Sequence, residues 1–98
     1  MTTHIAPHPH EVNDLNDYLA QVERARQRQL DSLPTADRDV VAAAHRASVE
    51  RILHDVRTAR QRLRIGAYGE CTQCQGSIAT ERLEMRPWAT TCSRCSRR

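Results

Sequence analysis

Cys71, Cys74, Cys92 and Cys95 carry the chemistry this chain can offer, and they are all of its cysteines. They stand as two C-x-x-C pairs, Cys71-Thr-Gln-Cys74 and Cys92-Ser-Arg-Cys95, with seventeen residues between them. Each pair sets two sulfurs on one tight turn, the bite a tetrahedral metal wants. The intervening segment must then return the second turn to face the first. Soft thiolates in a closed set of four favour zinc, here one structural Zn2+. An iron–sulfur centre takes the same number of thiolates. Two disulfides are the weaker reading, because nothing marks the chain as secreted and the four cysteines share one short module. A thioredoxin-type redox pair needs a βαβ pattern that neither C-x-x-C has. A closed set leaves no coordination position for water and no nucleophile–base pair stands out, so an enzyme is not expected.

The rest of the chain must hold that cluster with little apolar material. Ninety-eight residues include Tyr18, Tyr68, Trp88 and no Phe. A core this small needs a staple. Metal bound by four thiolates supplies about 10–16 kcal/mol of apparent free energy, most of which becomes folding energy. The formal charge of +3 is carried by fifteen Arg and no Lys against twelve acids. Four thiolates around one Zn2+ bring +3 to near +1. By segment the net is −2 over 1–34, +3 over 35–65 and +2 over 66–98 before the metal. That is not a chain that binds DNA by phosphate attraction alone. No signal-like apolar run and no membrane-length stretch is visible, so a soluble, cytoplasmic protein is expected.

Residues 1–10, MTTHIAPHPH, hold Pro7, Pro9 and three histidines, and read as a flexible tail. Over 11–33, Val12, Leu15, Leu19, Val22, Arg26, Gln29 and Leu33 step alternately by three and four, the seam of a paired helix. The seam turns polar at Arg26 and Gln29, so packing should loosen there. Pro34 biases Leu33 away from helix, and Thr35 is the expected N-cap of the second helix. Over 36–65, Ala42, His45, Val49, Ile52, Val56, Ala59 and Leu63 repeat the same stepping, with His45 as a packed seam residue. Arg46/Glu50 and Arg51/Asp55 are spaced for surface ion pairs.

Two seams joined by a turn near 32–36 specify an antiparallel, coiled-coil-like helical hairpin over 11–65. At ~1.5 Å per residue the second helix, roughly 45 Å, outruns the first, roughly 33 Å, and leads into a four-cysteine finger over 66–98. Inside the finger, Ile78, Leu83, Met85 and Trp88 are expected to pack on Leu63, Ile65 and Tyr68, with a short helical turn over 80–84 stopped by Pro87. Arg94, Arg97 and Arg98 stand beside the thiolates, where they serve either as charge balance or merely for solubility. The fold class is therefore mainly α: a hairpin followed by a small four-Cys zinc finger. The hairpin tip holds Asp31, Asp37 and Asp39, which on the residues alone is a solvated turn with acidic caps.

The run Gly66-Ala-Tyr68-Gly69-Glu-Cys71-x-x-Cys74, then Ile78, Glu81-Arg82-Leu83-Glu84, Pro87 and Cys92-x-x-Cys95, resembles the DksA/TraR family of bacterial C4-type zinc-finger regulators. The resemblance covers about thirty residues, and the hairpin before the finger is also that family's layout. It implies a regulator that binds RNA polymerase rather than DNA, inserts the hairpin into the secondary channel, and alters promoter-complex stability. Some members act together with ppGpp. It makes Asp37 and Asp39 the candidate partner-binding residues at the tip. Two departures are plain: Gln75 stands where a Gly usually follows the second cysteine, and the tip lacks the Asp-x-x-Asp-x-Ala motif, with Asp37 and Asp39 two apart. The alternatives are a DNA-binding finger, favoured by the Arg-rich second helix, and a structural adaptor whose seam pairs with another protein or with itself.

Overall fold

The computed structural model describes residues 9–34 and 39–97, with side chains from residue 12. His4 and His8 of the tail, Thr35 and Asp37 near the tip, and Arg98 lie outside the described residues, as does the side chain of His10. Two long helices, α1 (Pro9–Ser32) and α2 (Val40–Arg64), are followed by two short ones, α3 (Thr80–Met85) and α4 (Ser93–Ser96). α1 and α2 pack against each other as a hairpin. At 24 and 25 residues they are of nearly equal length, so the second does not outrun the first.

Both starts differ from expectation. α1 already begins at Pro9, inside the expected tail. Proline at the entry of a helix gives up an amide that has no intrahelical partner and brings a suitable φ. α2 begins only at Val40, because Asp39 is its cap. Asp39 is extended (φ −98°, ψ 107°), and its Oδ1 accepts from the amides of Val41 and Ala42 at 3.0 and 3.2 Å.

The core of the hairpin is narrow. Leu19, Val56, Ala59 and Leu63 are buried together, with Val12, Leu15, Val22 and Ile52 packed around them. Val49 and Leu53 extend the buried stripe of α2 toward the tip, and it stops there. His45 is exposed, and Val40 and Val41 are 82% and 79% exposed. The polar seam residues Arg26 and Gln29 pair along their own helix, the Arg26 guanidinium donating to Gln29 Oε1 at 2.8 Å.

The register is fixed by polar contacts that periodicity does not reveal. Arg60 reaches across to Glu23 Oε1 at 2.7 Å and to Asn16 Oδ1 at 3.1 Å. Arg57 reaches Glu23 Oε2 at 3.3 Å and Gln27 Oε1 at 2.8 Å. The Arg60 hydrogen bond leads in holding the Glu23 carboxyl below its usual 4.5; burial opposes it and Arg57 adds to it. A carboxyl depressed in the folded state stabilises above its unfolded pKa, and that stability is lost as pH falls through the folded one. Chemical denaturation from pH 6 down to pH 3 should therefore show a fall in hairpin stability that Glu23→Gln flattens. An identical slope in the variant would remove Glu23 from the account. Along α2, Arg46 and Glu50 pair at 3.9 Å as expected, whereas Arg51 and Asp55 are not among the ion pairs of the described residues.

α2 ends in a Schellman motif. The amide of Ala67 donates to Arg62 O at 2.8 Å and that of Gly66 to Leu63 O at 3.3 Å, with Gly66 at φ +75°. Only a residue that tolerates the left-handed region closes this turn without strain. The chain then enters the finger, where Cys71, Ile78 and Ala89 form a second small core with Leu83 against it. Tyr68 and Trp88 instead pack on the hairpin core. Met85 and Ile65, expected inside, are 82% and 65% exposed. α3 turns Leu83 inward, and Met85, two residues on, falls on the opposite side of the helix.

Candidate metal centre

Two turns and a bridge build the site. Glu70 and Ser77 pair as an antiparallel β-bridge, and Cys71 N donates to Gly76 O and Ile78 N to Gly69 O, both at 2.7 Å. This pinches residues 71–76 into a knuckle in which Gln75 N donates to Cys71 O at 3.0 Å. The second knuckle opens α4, where Ser96 N donates to Cys92 O at 3.0 Å. Thr72 N donates to Thr90 O at 2.9 Å and Cys92 N to Cys71 Sγ at 3.3 Å, which brings the two knuckles face to face.

The four sulfurs of Cys71, Cys74, Cys92 and Cys95 all lie within 4.8 Å of one another. Cys74 Sγ and Cys92 Sγ are 3.8 Å apart. Tetrahedral zinc with Zn–S bonds of about 2.3 Å places its sulfurs about 3.8 Å apart. A disulfide would need about 2.05 Å, and all four cysteines are free. The electrostatics point the same way. Burial pushes the Cys71 thiol up, but amide hydrogen bonds from Cys74, Cys92 and Gln73 outweigh it and bring it down to about 6. The Cys92 thiol is lowered chiefly by the amide of Cys95. Cys95 is pushed up to about 12, first by its hydrogen bond with Cys92. Four thiolates this close repel one another, and a divalent cation supplies the charge that lets all four ionise. The donor set thus fits one metal ion. Cys71 is buried and Cys74 exposed; Arg94 lines a concavity with Gln73, Cys74 and Cys95, where its charge offsets that of the thiolates.

Gln75 closes the first knuckle at φ +63°, in the left-handed region. That conformation costs a residue with a Cβ roughly 1–2 kcal/mol relative to glycine. Gln75→Gly should therefore raise stability by about 1 kcal/mol, part of the gain being offset by the freer unfolded chain. A thermal melt of the metal-loaded protein would show a rise of a few degrees. A fall would mean that the Gln75 side chain makes contacts that matter more than its backbone.

Beside the knuckles, α2 and the finger enclose a groove lined by Arg51, Asp55, Arg82, Arg86 and Trp88. Burial raises the Asp55 carboxyl above its usual range, opposed by His54, Arg51 and Arg86. Arg82 also fixes the finger from within, its Nε donating to Thr91 O at 2.9 Å.

No protein-family model matches the sequence, and no curated protein matches it. Among solved structures the chain superposes on transcription factor DksA2 from Pseudomonas aeruginosa with a TM-score of 0.65, over 91% of this chain and 82% of that one. The fold is DksA-like. Sequence identity is 20%, so the likeness is one of fold. The four-cysteine cluster after the hairpin is consistent with a DksA/TraR-type C4 finger. Of the two tip residues singled out by resemblance, Asp39 caps α2 and Asp37 is outside the described residues. What motif reading missed in this DksA-like chain is the clamp of Glu23 by Arg57 and Arg60, which carries no spacing signature because its partners lie 34 and 37 residues apart.

Proposed function

We propose that the chain is a zinc-binding transcription regulator of the DksA/TraR type, which binds RNA polymerase through the secondary channel and modulates initiation in the bacterial cytoplasm. The observation that carries this reading is the fold shared with a transcription factor over 91% of the chain. Cys71, Cys74, Cys92 and Cys95 hold one structural Zn2+ and the finger orients the hairpin. The role is that of a binding protein, not an enzyme: a closed set of four thiolates has no open position for substrate or water. Among the described residues no helix is long and apolar enough to cross a membrane. Co-regulation by ppGpp belongs to the same reading, tested by adding the nucleotide to the assay below. Direct DNA binding is disfavoured by a net charge near +1 once +3 is corrected for the metal site.

The tip acids, Asp37 and Asp39, are the proposed effectors near the catalytic magnesium or polymerase basic groups. Asp39 has a second duty, since both of its amide contacts fall on Oδ1 and start α2. Asp39→Ala should cost about 0.5–2 kcal/mol through the lost cap, whereas Asp39→Ser keeps an oxygen there and should cost little. Serine thus removes the charge while sparing the helix. In a purified transcription assay, Asp37→Ala combined with Asp39→Ser should abolish the effect on promoter output. Unchanged output would sink the tip's role. A loss seen with Asp39→Ala and not with Asp39→Ser would reduce Asp39 to a cap.

A further inference from the structure

We infer that residues 87–91 are a strap through which metal occupancy of the cysteine cluster sets the order of the hairpin's base. The first two residues of this segment are anchored to the hairpin core and the next three to the finger. Pro87 O accepts from the Tyr68 hydroxyl at 2.8 Å, and Tyr68 itself packs on the hairpin. The Trp88 ring packs against the core of Leu19, Val56, Ala59 and Leu63. Ala89 is buried in the finger beside Cys71 and Ile78. Thr90 O accepts from Thr72 N inside the first knuckle at 2.9 Å, and Thr91 O from Arg82 at 2.9 Å. Cys92 comes directly after as a ligand.

The two cores have unequal means of support. Among the described residues the finger's buried hydrophobic side chains are Cys71, Ile78 and Ala89, too little apolar surface to hold two knuckles together unaided. Closing the thiolates on a metal therefore fixes the position of 87–91. The hairpin core in turn lacks aromatic residues of its own and takes its two from the finger side, Tyr68 and Trp88. Releasing the strap withdraws Trp88 from the base of the hairpin, while α2 before Val49 has no buried residue to lose. The metal thus acts on the end of the hairpin next to the finger and leaves the tip half unaffected. The inference rests on the metal reading of the four cysteines and is independent of polymerase binding.

Amide hydrogen exchange on the full chain, with and without one equivalent of Zn2+, tests it. In the wild type, zinc should raise protection over 52–63 by about tenfold or more and leave 40–48 nearly unchanged. Trp88→Ala keeps all four ligands. It should still protect Cys71 and Ile78 when zinc is added, with the gain over 52–63 cut to about threefold or less. Tyr68→Phe, which keeps the ring and drops the bond to Pro87, should give a partial reduction, and it decides the matter if Trp88→Ala fails to fold. No zinc-dependent gain over 52–63 in the wild type, or a full gain in both variants, would overturn the strap. Co2+ absorption in the thiolate charge-transfer region, measured in parallel, separates failure of the strap from failure of the metal site.

Discussion

Replacing Cys71 with Ser is expected to weaken the finger's hold on its metal and destabilise residues 66–97. Cys71 is the buried member of the set. Its sulfur also accepts from the amides of Gln73 and Cys92 at 3.4 and 3.3 Å, so it joins the first knuckle to the second. A four-thiolate site supplies about 10–16 kcal/mol of apparent free energy, so losing one ligand of four removes roughly 3–4 kcal/mol or more. That corresponds to a fall in zinc affinity of roughly 10²–10³-fold. Competition with a chromophoric chelator measures it, and circular dichroism tracks the finger. Wild-type affinity in Cys71→Ser would mean that the metal is not held by this set. Chelation of the wild type should reproduce the same loss, restored when zinc is returned.

The second large effect is expected far from the metal. Leu19 is fully buried and is the one buried residue of α1 among those described. Its partners Val56, Ala59 and Leu63 all come from α2. Leu19→Ala should cost about 2–5 kcal/mol, from lost transfer free energy and the cavity left behind. A domain of this size has about 5–15 kcal/mol in all, so the hairpin becomes marginal. The urea midpoint should fall at nearly constant m-value, with the zinc stoichiometry unchanged. A loss under about 1 kcal/mol would mean that α1 is not held by this core.

Periodicity makes the hairpin legible, because burial on one side of a helix recurs every three to four residues. Leu19, Val49, Val56, Ala59 and Leu63 are buried on the seams so derived. It fails at His45, where the spacing continues but the side chain is exposed. Spacing on one helix cannot report what stands opposite. The start of α2 is misplaced by sequence because Thr35 and Asp39 are both competent caps, and choosing between them depends on where the turn ends in space. The cysteine cluster is legible in full, since two C-x-x-C turns leave few alternatives. The destination of Trp88 is only partly so: it packs, like Tyr68, on the hairpin cluster that contains Leu63, while Ala89 is the buried residue in the finger. Adjacent residues point to different cores because the strap between them runs along their boundary.

The central claim, a metal-stapled hairpin that acts on polymerase, is tested most directly by equilibrium binding of the zinc-loaded chain to purified bacterial RNA polymerase, with a promoter DNA fragment alone as the comparison. The account predicts a dissociation constant on the order of micromolar or tighter for polymerase, and no binding to DNA at physiological salt. Binding to DNA with a steep salt dependence, and none to polymerase, would contradict it.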